Sequence, residues 1–507
     1  MKVDYEKFPE IPAGCQLNYN KKTKLYQVFR ETRSKDPETG KTVVTRETLG
    51  SIRDDVWRPS KGWQDREKLR KLEQKCLELQ QQCADLKRGA ALEQDAKERP
   101  IINSAKAVAS KITDAAAVSK LDARQAGKTQ IKLPAVATTA VLSALAGNTD
   151  ALSISNYIET HRALFRKYLP DIADQSFSHD VVRKSLILAE PAHFKVFYSE
   201  MIARLISDQQ DRVICADGQV ICASGKRQKD KPGKRRAYMM NVYDSAGRVC
   251  LATELIDSKT NEITVGYRML MDLELKGSIV TADAMNCQVC FIDTVIEKGA
   301  DYAISLKGNQ DATLNDVMNV FNTAHPDNII TKTYGPELEH GRLENREVSV
   351  ISGKFLSQPL KSKWTGLEDG CAVRVRKEVC DKAAGNDTDE YSYYICSIPG
   401  DIDNIDRVYT GIRSHWHIEN KLHYVLDVNW SQDAMQAKNP VYIANRSTLN
   451  KLALAMVENY RFWLCETGRL KSLKAVSIKQ LQLRCRNPEI ALECMAASLL
   501  PAFHGYT

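Results

Sequence analysis

The sequence has no apolar run of about 18 residues and no N-terminal basic segment followed by an apolar one, so it predicts neither a membrane-spanning helix nor a secretory signal. We therefore expect the protein to stay in the compartment where it is made and to have no membrane partner. It also lacks the paired cysteines of a disulfide framework. Its 14 cysteines are scattered and mostly single, and Cys287 and Cys290 form the only CxxC. That pattern is typical of buried thiols in a reducing cytoplasm, and without a second pair it disfavours a zinc site.

A strong excess of one charge is absent as well. The net charge of +8 over 507 residues is too small to indicate nucleic-acid binding by itself. One local run is basic: residues 225–236 contain seven Lys or Arg, among them Lys226 and Arg227, without one helical face to carry them. This run predicts either a solvated surface loop or an arm that contacts phosphates.

The sequence does contain a succession of segments with different hydrophobic periods, and its length predicts about three domains. Alternating β-forming and turn residues come first, then heptad-like and Ala-rich stretches, then a helical period. The first four predicted segments are a β-hairpin module (1–62), a coiled-coil-like helix (63–90), an Ala-rich linker (91–139) and a small helical domain (140–208).

A heptad-like seam lies in the second segment, at Leu69, Leu72, Cys76, Leu79, Cys83 and Leu86. Two and a half heptads are marginal for an isolated helix pair. The seam therefore predicts either a weak dimerising coiled coil or a helix that packs within its own chain.

After residue 208 the pattern predicts an α/β fold. Three strands in a row are followed by a helix, a strand, a helix and a strand, which is the order of the ribonuclease H-like fold. The predicted segments are the first part of this core (209–329), a β-rich insertion (330–400), a core helix region (401–450) and a helical C-terminus (451–507).

Acidic residues stand in two strands of this predicted sheet. Asp217 lies within the first strand, in the otherwise apolar VICADG, and Asp283 closes the fourth, in IVTADAM. Because the first and fourth strands are neighbours in this fold, the two carboxylates would lie side by side, which is costly without a cation. A single Asp at a strand end is more often a turn or cap residue, but a pair fits Mg²⁺, which prefers oxygen ligands.

A third carboxylate is offered by the segment HWHIENKLHYVLD, residues 415–427. Its apolar residues recur at steps of three or four and predict a helix with one buried face. On a neighbouring face, His415, Glu419 and His423 recur at steps of four. Glu419 would join the two strand carboxylates, and the imidazoles would support it or contact phosphates. A zinc site on this helix is the alternative, although its ligands would drift around the helix and no outside Cys or His completes a tetrahedron.

Several blocks of the sequence carry a resemblance. They are ADGQ, TNEITVGYRMLMDLELKGSIVTADAMNCQ, ISLKGNQ, HGRLENR and IRSHWHIENKLHYVLDVNWSQD, within residues 140–455. In this order they resemble the motifs of the H-repeat-associated insertion-sequence transposases, a DDE family with a ribonuclease H-like core. The segment QSFSHDVVRKSL resembles the domain before that core. Carried over position by position, the resemblance implies Asp217, Asp283 and Glu419 as the catalytic triad, the set already indicated by the strands and the helix.

The sequence departs from the family pattern at positions outside this triad. Gln219 replaces a lysine of the family pattern and Cys222 replaces an arginine. Tyr424 replaces a tryptophan, and Gln432 replaces the first member of an acidic pair. In the wider group of such enzymes an arginine and a lysine flank the glutamate, where this chain has His415 and Leu426. Some DNA contact is therefore expected to have moved to Lys226 or Arg227.

The resemblance implies a transposase that binds the terminal inverted repeats of its own element and uses two Mg²⁺ ions, or Mn²⁺ in their place, held by the triad. Its implied partners are transposon-end DNA, target DNA and a second copy of the chain, in the cytoplasm and nucleoid of a prokaryote. The residues expected to contact DNA are Lys226, Arg227, Lys307, Arg342, Arg346, Arg413, His415 and His423. Two alternatives stay open: a domesticated descendant that binds DNA without recombination, and a zinc hydrolase.

Overall fold

A computed structural model of the chain describes most of its residues. They are 3–36 without 5, 41–62, seven positions between 64 and 78, 105–118, 120, 133–168, 177–206, 212–221, 237–256, 262–339, 342–381, 386–435 and 437–498. The chain folds as two compact units, residues 1–98 and 99–507. None of the described helices has the length and apolar character needed to span a bilayer.

The N-terminal unit contains a four-stranded antiparallel sheet, where the sequence predicted a hairpin module. Its strands, paired in chain order, are β1 (Gln16–Asn20), β2 (Leu25–Lys35), β3 (Thr42–Arg53) and β4 (Val56–Pro59). A small core of its own includes Val28 and Leu49. Of the six predicted seam positions the structure describes Leu72, which is helical and 64% exposed. The other five lie outside the described residues, and the choice between a coiled coil and a packed helix stays open.

A nine-stranded mixed sheet forms the centre of the second unit. Its strand order is β10-β11-β12-β13-β9-β8-β5-β6-β7. The first five strands in the chain are β5 (Val213–Ile221), β6 (Ala237–Asp244), β7 (Val249–Ile256), β8 (Ile279–Ala282) and β9 (Asp301–Leu306). β5, β6 and β7 are antiparallel, whereas β8 and β9 run parallel to β5. The predicted succession of strands and helices is thus observed, and the first and fourth strands are neighbours.

The β segments predicted as an insertion continue this sheet. They are β10 (Ile329–Glu339), β11 (Arg342–Ser352), β12 (Cys371–Asp381) and β13 (Asn386–Cys396). β13 pairs antiparallel with β9, so the predicted β-rich insertion over 330–400 extends the core sheet. Without β13, the backbone of β9 would be an open sheet edge with unpaired donors and acceptors.

The helices of the second unit cover the sheet and extend beyond it. They are α1 (Ala105–Val118), α2 (Leu133–Leu145), α3 (Ala151–Thr160), α4 (Arg162–Tyr168), α5 (His179–Leu188), α6 (Pro191–Ala203), α7 (Glu262–Met271), α8 (Val289–Glu297), α9 (Asp311–Thr323), α10 (Gln358–Lys363), α11 (Ile405–Ser414), α12 (Tyr424–Trp430), α13 (Pro440–Glu466), α14 (Ile478–Arg484) and α15 (Pro488–Ser498). A π-helical turn, Ile418–His423, lies between α11 and α12.

The Ala-rich stretch predicted as a linker over 91–139 contains α1 and the start of α2, so that prediction is wrong for these parts. Every side chain of α2 that the structure describes is buried. The small Ala and Thr side chains of α2 let it pack closely against α13. The segment is therefore part of the core and not a spacer.

Helix α13 joins the regions that the sequence analysis had separated. It packs against α2, α5, α6 and β7, and most of its residues are buried. The helices predicted over 140–208 therefore share one core with the sheet, and the predicted boundary at 450/451 falls inside α13. Packing of this kind fixes the sheet against the helices that precede it.

Candidate active site

Asp217 and Asp283 occupy equivalent positions on neighbouring strands. β5 and β8 run parallel with Ala216 opposite Ala282, and the next residue of each strand is the aspartate. Asp283 keeps an extended backbone, with φ of −68° and ψ of 168°. In parallel strands residues at the same level point to the same face, and neighbouring strands lie about 4.8 Å apart. The register therefore brings the two aspartates next to each other in the backbone of the sheet.

Hydrogen bonds hold the Asp283 carboxylate in place. Its Oδ1 accepts from the backbone N–H groups of Met285 and Asn286, at 3.1 and 3.3 Å, and from Asn286 Nδ2 at 3.1 Å. These bonds cap the 3₁₀ turn that follows β8. Asp283 thus has the cap role that is common for a strand-end Asp, and the cap orients its carboxylate at the end of the strand.

Glu419 lies in the π-helical turn between α11 and α12. These two helices and the turn are called the crossing helix below. The backbone N–H of Tyr424 donates to the carbonyl oxygen of Glu419, five residues earlier. A π turn rotates less per residue than an α turn, and it offsets the drift of positions spaced by four. Ile418 and Leu422 are buried, as the apolar period predicted, whereas Glu419 is exposed. The turn therefore anchors in the core and leaves the carboxylate accessible.

His423 is held between Asp217 and a buried amide. Its Nδ1 lies 3.7 Å from Asp217 Oδ2, and its Nε2 lies 3.1 Å from Asn241 Nδ2. Asn241 Oδ1 accepts a hydrogen bond of 2.9 Å from Thr253 Oγ1, so the amide nitrogen faces the ring and donates to Nε2. Burial lowers the pKa of His423 to about 3, which keeps the ring neutral. Its single N–H is therefore on Nδ1 and points towards Asp217.

His415, two turns earlier on the same helix, lies near the other aspartate. Its Nδ1 is buried and has no hydrogen-bond partner among the residues described. Burial lowers the pKa of His415 to about 4; the Asp283 carboxylate opposes this shift and the Lys307 ammonium adds to it. Because its two ends approach Asp283 and Asp217, the helix crosses both strand ends, with Glu419 between the two contacts.

A chain of polar groups runs from the crossing helix into α13. Gln219 Nε2 donates to the Asp427 carboxylate, at 3.2 Å from its nearer oxygen, and Gln219 Oε1 accepts from Gln432 Nε2 at 2.7 Å. Gln432 Oε1 in turn accepts from Ser447 Oγ at 3.2 Å, and Lys451 Nζ donates to that hydroxyl oxygen at 2.6 Å. Burial raises the pKa of Asp427 to about 6 and lowers the pKa of Lys451 to about 8.

The residues predicted to contact DNA fall into different environments. Lys307 is exposed directly after β9, beside the strand ends. Arg342 begins β11, and nothing further of its side chain is described. Lys226 and Arg227 lie outside the described residues.

Arg346 and Arg413 are part of an ion-pair cluster. The side chain of Arg346 is 9% exposed and pairs with Glu337 at 3.0 Å and with Glu344. Arg413 Nη2 lies 3.6 Å from the same oxygen of Glu337. A phosphate contact by Arg346 would require it to leave both carboxylates, so the structure gives the predicted DNA contact of Arg346 no support, and it stays a prediction.

The positions of these side chains determine which metal ion they could bind. In the part of the chain that the structure describes, no group of three or more His, Cys, Asp or Glu side chains is arranged to hold a metal ion. The carboxylates of Asp217 and Asp283 are set as a pair and Glu419 is accessible on the helix that crosses them. This donor set consists of oxygen atoms, which fits Mg²⁺. The imidazoles of His415 and His423 approach different aspartates, so the geometry provides no ligand set for the zinc alternative.

Asn241 and Thr253 were missed by the sequence analysis. Asn241 is a buried amide in the otherwise apolar YMMNVY of β6, and it pairs in register with Asp217. A polar residue inside an apolar strand is a usable signal, because a buried amide needs partners. Its partner His423 is 182 residues away in the chain, which no local pattern could reveal.

Comparisons with known proteins agree with this geometry. Residues 208–456 match the family model described as "Transposase DDE domain". "Putative transposase YncI" of Escherichia coli O157:H7 is 28% identical over 348 residues, which are 67% of this chain and 85% of that protein. "H repeat-associated putative transposase YhhI" of E. coli K12 is 28% identical over 315 residues, 62% of this chain and 81% of that protein.

A solved structure of the piggyBac transposase synaptic complex with hairpin DNA aligns with a TM-score of 0.40 and 10% identity, over 81% of this chain and 84% of that chain. A score at this level adds nothing to the family assignment.

The sheet, with Asp217 and Asp283 on neighbouring strands, lies within residues 208–456, the part of the chain that matches the DDE transposase domain. The chain is also similar to proteins described as H repeat-associated putative transposases.

Proposed function

We propose that the chain binds the terminal inverted repeats of its own element and catalyses metal-dependent DNA cleavage and strand transfer in a ribonuclease H-like core. The observation that supports this most is the parallel register of β5 and β8, in which Ala216 lies opposite Ala282 and each is followed by an aspartate. Glu419, in the π-helical turn, is the proposed third carboxylate. The reaction would take place on DNA in the nucleoid of a prokaryotic cell.

Asp217, Asp283 and Glu419 would hold two Mg²⁺ ions, or Mn²⁺ in their place. When bound, such ions lower the pKa of water and stabilise charge at the scissile phosphate. The chain itself provides orientation: the cap bonds hold Asp283, and the Nδ1–H of His423 faces Asp217. Because His415 and His423 are neutral at physiological pH, they would orient carboxylates or donate to phosphates without adding charge.

The direct test is a cleavage assay on labelled oligonucleotides copied from the DNA that flanks this gene, with Mg²⁺ or Mn²⁺ and with a chelator as control. We expect a nick that leaves a 3′-OH at the element's end, and then joining of that end to a second DNA. A protein that binds these ends but never nicks them would argue for the second candidate, a descendant that only binds DNA.

The second candidate function, DNA binding without recombination, is suggested by Gln219, which stands where the family pattern has a lysine. In the fold, Gln219 hydrogen-bonds to Gln432, which stands where the pattern has an acid. Two departures that contact each other replace a pair of opposite charges by an amide pair, so neither leaves an unpaired buried charge. The loss of this lysine is therefore weak support for a loss of activity.

The salt dependence of DNA binding tests the proposed phosphate contacts. Lys307→Ala with Arg342→Ala should lower the slope of log K against log salt concentration by about 1.8, because each phosphate contact contributes about 0.9. Adding Arg346→Ala should leave the slope unchanged from that of the double variant. It should lower the free energy of unfolding by about 2 kcal/mol, since Glu337 and Glu344 would each lose one of two cationic partners.

The measurements are filter binding from low to high salt and urea unfolding of the same variants. Lys354→Ala with Lys276→Ala, two exposed lysines elsewhere in the unit, is the matched control. If the salt slope of the Lys307→Ala, Arg342→Ala variant is unchanged, these two residues do not contact phosphates and are solvated surface residues.

We propose that the active complex contains at least two chains, because joining two transposon ends requires two active sites in a fixed relation. The seam that includes Leu72 and Leu79 is the proposed contact, and Leu72 is exposed as a partner contact requires. Leu72→Asp with Leu79→Asp should reduce the mass measured by light scattering from dimer to monomer in the free protein. If both the free and the DNA-bound mass stay as they were, the seam packs within its own chain.

A further inference from the structure

A cleft of about 670 Å³ lies beside the loop that follows α12. Its walls come from the start of α3, from α5, from residues 431–439 and from the start of α13. Sites for small ligands usually measure about 300–1,000 Å³, so the cleft is too small for a protein helix and large enough for one nucleotide.

Arg446 lines this cleft and is 1% exposed. Tyr442 hydrogen-bonds to its side chain and Asp150 attracts it electrostatically, but no described residue accepts a hydrogen bond from Nη1 or Nη2. The Asp150 carboxylate is engaged as the N-cap of α3, where it accepts from Leu152 and Ser153. A buried guanidinium with unused donors is costly, and its planar fork matches the oxygens of a phosphate.

Further positive charge surrounds the same space. Arg183 and Lys438 line the cleft, and each is exposed. The N-terminus of α13 also lies at the cleft, and helix N-termini favour anions, whereas the N-terminus of α3 is already capped by Asp150. An apolar wall stands opposite: Leu152 is 56% exposed and Met435 is half-buried. Cationic and apolar surfaces side by side suit a phosphate that carries a base.

We propose that this cleft binds a phosphorylated nucleotide, with its phosphate on Arg446, Arg183 and Lys438 and its base against Leu152 and Met435. The ligand could come from a single strand of the DNA substrate or from the free nucleotide pool. The first source rests on the function proposed above. Ser431, at the mouth of the cleft, follows Glu419 by twelve residues, or roughly 18 Å of helix. That spans about five nucleotides at a rise of 3.4 Å.

The experiment measures binding of three labelled probes to the full chain: thymidine monophosphate, a 5′-phosphorylated single strand of six nucleotides and a blunt duplex of random sequence. Arg183→Gln with Lys438→Gln removes the outer charges without touching the buried floor. Ala434→Trp fills the cleft from an exposed position. The matched controls are Lys276→Gln with Lys354→Gln and Ala192→Trp, at exposed sites elsewhere in the unit.

We expect both cleft variants to weaken binding of the six-nucleotide strand at least about tenfold, and the double variant to lower its salt slope by about 1.4, as expected for two single-strand contacts. The controls should bind like the native chain. If the cleft variants weaken binding of the mononucleotide alone, the cleft is a nucleotide site and its ligand comes from the free nucleotide pool. Binding that ignores Ala434→Trp, or no binding of either single-stranded probe, overturns the proposal. Neither outcome depends on cleavage, so a failure here is distinct from a failure of the transposase activity.

Discussion

Replacing Asp217, Asp283 or Glu419 by alanine, one at a time, is expected to reduce DNA cleavage by about 1,000-fold or more. Each change removes a carboxylate from a site that would hold two divalent cations, and a loss of about 4 kcal/mol in transition-state stabilisation corresponds to that factor. Binding to end DNA should stay within about threefold of the native value, because few DNA contacts are lost. The measurement is a time course of nicking on labelled end DNA, with a filter-binding assay beside it.

The matched control is Asp327→Ala, which removes a carboxylate that is 88% exposed elsewhere in the unit. If one of the three variants still nicks DNA like the native chain, the residue replaced in it does not belong to the catalytic triad. Under the zinc alternative, Asp217→Ala and Asp283→Ala would be mild and only Glu419→Ala severe. The three variants together therefore separate the two chemistries.

The second large effect is expected from Asn241→Asp. The new carboxylate keeps the shape of the amide, but it accepts a proton from Nε2 of His423 where Asn241 donates one. The ring must then carry its proton on Nε2, and Nδ1 turns a lone pair towards Asp217, 3.7 Å away. Cleavage should fall by about 10- to 100-fold, the usual cost of disturbing a group that orients a metal ligand.

Nitrogen-15 chemical shifts of His423 report the change of tautomer directly. Thr253→Val should give a smaller loss of cleavage, because it releases the amide without adding a charge. Thr294→Val, at a buried threonine of α8, is the control for loss of a hydroxyl group. If the Asn241→Asp ring keeps its proton on Nδ1, or if cleavage falls only as far as folding stability does, the positioning role of Asn241 is wrong.

Much of the sheet and part of the site could be predicted from local sequence. The strand and helix order after residue 212 follows from short apolar runs and helical periods, which are properties of neighbouring residues. Asp217 and Asp283 stand out because they interrupt apolar strands, and the burial of Ile418 and Leu422 follows from their spacing. Predicting that the two aspartates are adjacent also required the knowledge that the first and fourth strands are neighbours in this fold.

The partners of these residues could not be predicted in the same way. Arg346 had the sequence context of a phosphate contact, yet it lies between Glu337 and Glu344, which are strand neighbours in the folded sheet. The Ala-rich stretch had the composition of a linker, yet α2 is buried against α13, some 300 residues later in the chain. Composition is the same for a spacer and for a close-packed helix of small residues; only the presence of a partner separates them.

By itself the sequence determined the α/β class of the fold, the succession of strands and helices along the chain and the three candidate carboxylates, because each rests on local periodicity and residue type. Only the tertiary structure decided that β10–β13 extend the same sheet, that Thr253 and Asn241 form a chain of hydrogen bonds to His423, and that Nη1 and Nη2 of Arg446 are buried without an acceptor among the described residues. These features depend on contacts between residues far apart in the chain. A side chain's partners, and with them its charge and its donors, are defined only when the chain has folded.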